Sequence, residues 1–298
     1  MKTVTILHLP YIDLLFMFDF FRYNAASHAF YPDSEGNINL LAGTSHTCGI
    51  ISQHERDKMN IVSHLAYPGG NLTSEELMLK VKQDLQLVKK RYNVVNLYLH
   101  FGSNDVDKLS SLLFPVNNST SQLNDAIIYG NSNDSQLIDI VDPLDILSLY
   151  PDHIVDNYNV FISDYFDRVD ELVDILNPQH VFIFAFMGRF LKGINSHINY
   201  NRAAYYFRSR LHMRYGNMEG NKYTLIDLFR QKWLDGTINL LPNHSVKEVV
   251  NCMFQEFHYT RFGAVHFSGK IYSSILKSIL QTISRTDTQN SSSYYYNV

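Results

Sequence analysis

The stretch Ile38-Asn39-Leu40-Leu41-Ala42-Gly43-Thr44-Ser45-His46 decides the architecture. A short apolar run ends at a glycine, and residues 47–58 that follow can form a helix. The stretch reads as a strand entering a turn and then a helix, with Ser45 at the turn. Unpaired N–H groups and the positive end of the helix dipole collect there and favour a developing anion, which suits a nucleophile.

The same pattern recurs twice. Residues 59–66 form an apolar run that ends in Tyr67-Pro68-Gly69-Gly70, where missing side chains let a backbone N–H approach a reacting oxygen. The run from Val94 to Phe101 ends in Gly102-Ser103-Asn104-Asp105, and Asn104 offers a side-chain amide as a second donor to an oxyanion. A further short block, Gly263-Ala264-Val265-His266, lies near the C-terminus.

Outward from these blocks, strands and helices alternate. Leu77, Val81, Leu85 and Val88 recur at helical spacing and predict a helix over 74–91, with Thr73 or Ser74 as N-cap. Phe161, Tyr165, Val169, Leu172 and Val173 mark another over 158–176, followed by a buried strand at 181–186. A third helix over 200–215, a short strand at 223–226 and a closing helix over 271–283 complete the pattern. This alternation predicts an α/β fold, a three-layer α/β/α sandwich around a mainly parallel sheet. Ligands of such sheets sit at the carboxyl ends of the strands, where Ser45, Gly69 and Asn104 all fall.

Composition narrows the class without naming an activity. At 298 residues, 45% hydrophobic and 18% charged, the chain can bury a sizeable core, read as one domain over 37–285. Residues 1–36 become an N-terminal extension without a readable role, and 286–298 a disordered polar tail. His8, Pro10, Asp13 and Asp19 interrupt the apolar start, which argues against a membrane span and against a signal peptide. A cytoplasmic site is slightly favoured and secretion stays open. The formal charge of -4 argues against a general polyanion binder.

Residues 109–157 form an acidic insertion that is either a lid or substrate-selecting wall, or a surface insertion without bearing on the site. From Ile175 to Met218 no acidic residue occurs, while arginines such as Arg202, Arg208 and Arg214 alternate with tyrosines. A helix that buries its aromatics and solvates its arginines is the stronger reading, ahead of nucleic-acid contact. Cys48 and Cys252 supply no disulfide framework. Cys48, three residues after Ser45, is read as a small buried residue rather than a rival nucleophile. No His-Glu-x-x-His, Cys-x-x-Cys or phosphate-binding glycine loop occurs, so neither metal nor cofactor is expected. His46 is either a substrate or oxyanion contact or a surface histidine at a helix start.

The blocks around Ser45, Gly69 or Gly70, Asn104 and His266 resemble those of the SGNH hydrolases, also called the GDSL family, over roughly residues 37 to 285. The resemblance implies a serine esterase acting on a small or medium acyl ester, such as an acetylated carbohydrate or a lipid. Ser45 would attack, a glycine N–H and the Asn104 amide would form the oxyanion hole, and His266 would be the base. Two positions depart from the family pattern: Thr44 replaces the usual aspartate before the serine, and Gly263 stands where the acid that supports the histidine is expected. An acid normally fixes the imidazole tautomer and stabilises the imidazolium. Here a backbone carbonyl or Glu256 would have to do so, or the chain is a member that binds ligand without turnover.

Overall fold

The computed structural model describes residues 27–56, 61–113, 152–185, 196–216, 222–226 and 269–293. Six strands, β1 (Ser27–Ala29), β2 (Asn37–Gly43), β3 (Val62–Ala66), β4 (Asn93–His100), β5 (His180–Phe184) and β6 (Tyr223–Ile226), form one sheet in the order β1-β3-β2-β4-β5-β6. All pairings are parallel except that of β1 with β3. Without β1, the first parallel strand lies between the second and third, the doubly wound order of flavodoxin-like sheets. The chain is thus an α/β sandwich with a mainly parallel sheet, as the alternation predicts.

Strand alternation sorts the two faces. Leu40, Ala42, Leu65, Leu97, Leu99, Val181 and Ile183 point to one side, where they join a core with Met78, Val81, Leu85, Leu172 and Phe207. These last residues belong to α2 (Glu75–Lys89), α4 (Asp152–Leu176) and α5 (Ser196–Tyr215). On the opposite side α1 (Ser45–Arg56) and α6 (Gly269–Ser293) pack together. Gly49 makes this packing close, since a Cβ there would fall on the Tyr272 ring. Tyr98 of β4 faces this second layer, its hydroxyl 2.6 Å from Thr282 Oγ1 of α6.

Local chemistry sets several boundaries. The α4 helix ends at Asn177, whose φ of 48° is the left-handed conformation asparagine tolerates, with its N–H donating to the Val173 carbonyl at 2.7 Å. Pro178 then blocks any continuation. Before β2, Asp33 accepts from the N–H groups of Glu35 and Asn37, each at 2.8 Å, which turns the chain into the sheet.

Four boundaries differ from the sequence reading. Part of the extension at 1–36 joins the sheet, because β1 pairs along the edge of β3. The first helix begins at Ser45 rather than at 47, which puts the serine in the helical first turn. The stretch read as an insertion over 109–157 is helical at both ends, in α3 (Ser103–Leu113) and in α4, and residues 114–151 lie outside the described residues. Residues 286–293, read as a disordered tail, continue α6.

Candidate active site

The site is built where the strand order reverses. Gly43 closes β2 opposite His100, and a Cβ on it would lie 2.5 Å from the His100 carbonyl oxygen. Only glycine allows β2 and β4 to approach this closely. Thr44 donates its N–H to that carbonyl at 3.2 Å, and α1 starts one residue later at Ser45. Ser45 is buried, with 8% of its surface exposed, and its side chain has no hydrogen-bond partner among the described residues.

The second block closes on the first through the Tyr67 N–H, which donates to the Gly43 carbonyl at 2.8 Å. Tyr67-Pro68-Gly69-Gly70 is a turn closed by Gly70 N–H on the Tyr67 carbonyl at 3.0 Å, with Gly69 at a φ of 70°. Proline second and a left-handed glycine third is the pattern of a type II turn. The Gly70 N–H is therefore engaged within the turn, whereas the Gly69 N–H has no partner among the described residues.

The third block meets the second directly. Asn104 Nδ2 donates to the Gly70 carbonyl at 2.7 Å, which uses one amide hydrogen and leaves the other. Beside it the Asp105 carboxylate, fully buried, accepts from the Leu72 N–H at 3.0 Å and the Thr73 N–H at 2.8 Å. Burial pushes the Asp105 carboxyl above its ordinary range, against the lowering effect of these N–H groups. The Thr44 and Ser103 hydroxyls face each other at 3.5 Å, a contact too long to carry much energy. Ser45, the Gly69-Gly70 turn and Asn104 are thus grouped at the carboxyl ends of three adjacent strands.

His46 is not a surface histidine. It is buried between α1 and α6, with Nδ1 3.0 Å from the Tyr272 hydroxyl and its ring 5.3 Å from that of His100. His100 packs edge-on against Phe184, and its Nδ1, shut off from water, has no hydrogen-bond partner among the described residues. Burial lowers its pKa to about 4, so the ring is neutral at pH 7. Sequence reasoning missed His100 as a half-buried polar group, although it lies within the quoted run from Val94 to Phe101. It also missed Asp105 and Tyr272, for which no local pattern signals a role.

Cys48 is buried on α1, and desolvation raises its thiol to about 11, which leaves almost no thiolate at neutral pH. The reading of Cys48 as a small packed residue agrees with this. His266, Glu256, Gly263 and Cys252 lie outside the described residues. Among the described residues no group of three His, Cys, Asp or Glu side chains could hold a metal ion, and no helix is long and apolar enough to cross a membrane. In the basic stretch Arg208 is buried, while Arg214 pairs with Asp170 and stacks 4.9 Å from the Phe166 ring centre.

No protein-family profile and no curated protein matches the chain. Among solved structures it is similar to the lipase Lip_vut3 from a goat rumen metagenome, with 12% identity and a TM-score of 0.40 over 82% of this chain and 96% of the lipase.

Proposed function

We propose that the protein is a serine esterase of the SGNH type, acting on a small or medium acyl ester such as an acetylated carbohydrate or a lipid. Ser45 Oγ attacks the acyl carbon while His266 takes its proton, and the proton then passes to the departing alcohol. Water hydrolyses the acyl-enzyme by the same steps in reverse roles. The oxyanion is held by the second amide hydrogen of Asn104 and by a backbone N–H of the glycine turn. Gly69 is the better donor of the pair, since the Gly70 N–H is engaged with Tyr67.

The observation that carries this reading is the bond from Asn104 Nδ2 to the Gly70 carbonyl, beside the strand end that bears Ser45. It ties the glycine turn to the segment bearing Asn104, which Asp105 also joins through the Leu72 and Thr73 N–H groups, and it leaves one amide hydrogen unspent. The start of α1 adds the positive end of its dipole at Ser45.

Hydrolysis of a nitrophenyl acetate tests the assignment. Ser45→Ala is expected to abolish turnover, and Asn104→Ala to lower kcat by about a hundredfold or more. Turnover by Ser45→Ala equal to the parent's would remove Ser45 as nucleophile. A second reading, ligand binding without turnover, is favoured by Gly263 at the expected place of the acid. Under the esterase reading with an unsupported dyad, Gly263→Asp should raise the rate. If it leaves the rate unchanged, Glu256→Gln should slow the enzyme, and no measurable rate in any variant selects the binding reading.

A further inference from the structure

We infer that Asp105 is a positioning residue that clamps the 70–73 loop against α3 and so fixes the glycine turn opposite Asn104. The inference rests on the esterase reading for its functional consequence, but the clamp stands on its own contacts. Each carboxylate oxygen takes one N–H, Oδ2 from Leu72 and Oδ1 from Thr73, so the loop is held at two adjacent points and cannot pivot about one. Removing the carboxyl group leaves two buried N–H groups without that acceptor, which costs more than the bonds themselves contribute.

The neighbouring contacts close the clamp from other sides. Arg168 of α4 donates to the Leu72 carbonyl at 3.3 Å and is itself held by Asp164 at 2.9 Å and Glu75 at 2.5 Å. Asn71 Oδ1 accepts from the Thr73 N–H at 3.1 Å and from its hydroxyl at 2.6 Å. Tyr165, also on α4, donates to the Phe101 carbonyl at 3.3 Å, just before the block that bears Asn104. Because Asn104 and Asp105 are consecutive, one short segment both supplies the proposed oxyanion donor and grips the loop that it faces. A displacement of that loop by about an ångström is the scale that costs a reaction on the order of a hundredfold.

The test combines kinetics with amide exchange. Asp105→Asn keeps the shape and one acceptor oxygen, and it should lower kcat on nitrophenyl acetate by about tenfold with KM little changed. If Asp105 acts through the oxyanion site, adding Asp105→Asn to Asn104→Ala should cost almost nothing further. Losses that multiply fully, or an Asp105→Asn variant with the parental kcat, would overturn the positioning role. In the unsubstituted protein the Leu72 and Thr73 amide protons should exchange slowly, and in Asp105→Asn faster. Rapid exchange of both in the unsubstituted protein would overturn the clamp whether or not any variant folds. Absence of Ser45-dependent turnover would instead sink the esterase reading alone, with the exchange data still deciding the clamp.

Discussion

On the face of the sheet that looks at α2, α4 and α5, the buried side chains are almost all hydrocarbon or aromatic: Leu97, Leu99, Val181 and Ile183 meet Val81, Leu85, Leu172 and Phe207. The face that looks at α1 and α6 is different. There His64, Tyr98 and His100 stand in the strands, paired with or packed against Ser27, Thr282, His46 and Phe184. Apolar packing tolerates shape changes at a graded cost, whereas a buried polar group loses its whole compensation when one partner goes. The first face therefore determines how stable the sheet is, and the second, which carries the helix beginning at Ser45, determines how rigidly that helix is seated.

The contrast can be challenged at each face. Phe207 is fully buried, with its ring edge-on to Tyr165 at 4.8 Å, so Phe207→Ala should cost about 3–5 kcal/mol in denaturant unfolding. Activity per folded molecule should barely change, and a selective loss of activity would blur the division between the faces.

Acid should act on the other face. His100 has its pKa lowered from 6.5 to about 4, so its contribution to stability is complete above pH 6.5 and is lost as pH falls toward 4. The loss should approach about 3 kcal/mol, at roughly 1.4 kcal/mol for each pH unit between the two values. Asp105, with its carboxyl raised, works in the opposite sense over the acid range, so the comparison is made against His100→Phe, in which the histidine's share of the slope disappears. Equal slopes in parent and variant would show that the ring takes up its proton freely in the folded protein.

Smaller effects refine the account of the α1–α6 contact. Gly49→Ala places a methyl on the Tyr272 ring and should destabilise by about 1–3 kcal/mol. Tyr272→Phe removes only the hydroxyl 3.0 Å from His46 Nδ1 and should cost about 1 kcal/mol by the same unfolding measurement. A larger cost for the hydroxyl than for the methyl would make the hydrogen bond, not the close approach, the dominant tie between these helices.

Much of the fold was legible in the chain. The strand at Tyr223–Ile226 has the expected bounds, and β2, β4 and α2 lie within two residues of them, because apolar period, glycine ends and capping residues are local signals. Ser74 is the N-cap of α2, though its side chain makes no cap bond. Boundaries failed where tertiary contact overrode composition. Residues 286–293 look polar and frayed by themselves yet continue a helix whose earlier turns are buried. The edge strand β1 is only three residues long and takes its order from pairing with β3.

The same division runs through the candidate site. That Ser45, the glycine turn and Asn104 each follow a strand could be read from the residues alone, since each block carries its own glycine and its own apolar run. It took the packed chain to establish that Asn104 donates to Gly70, that Asp105 grips Leu72 and Thr73, and that His46 turns to Tyr272. These partners are separated by 34, 33, 32 and 226 residues respectively. Local propensity governs a few neighbouring dihedral angles, while the burial that selects a partner for a polar side chain exists only after distant segments have packed around it.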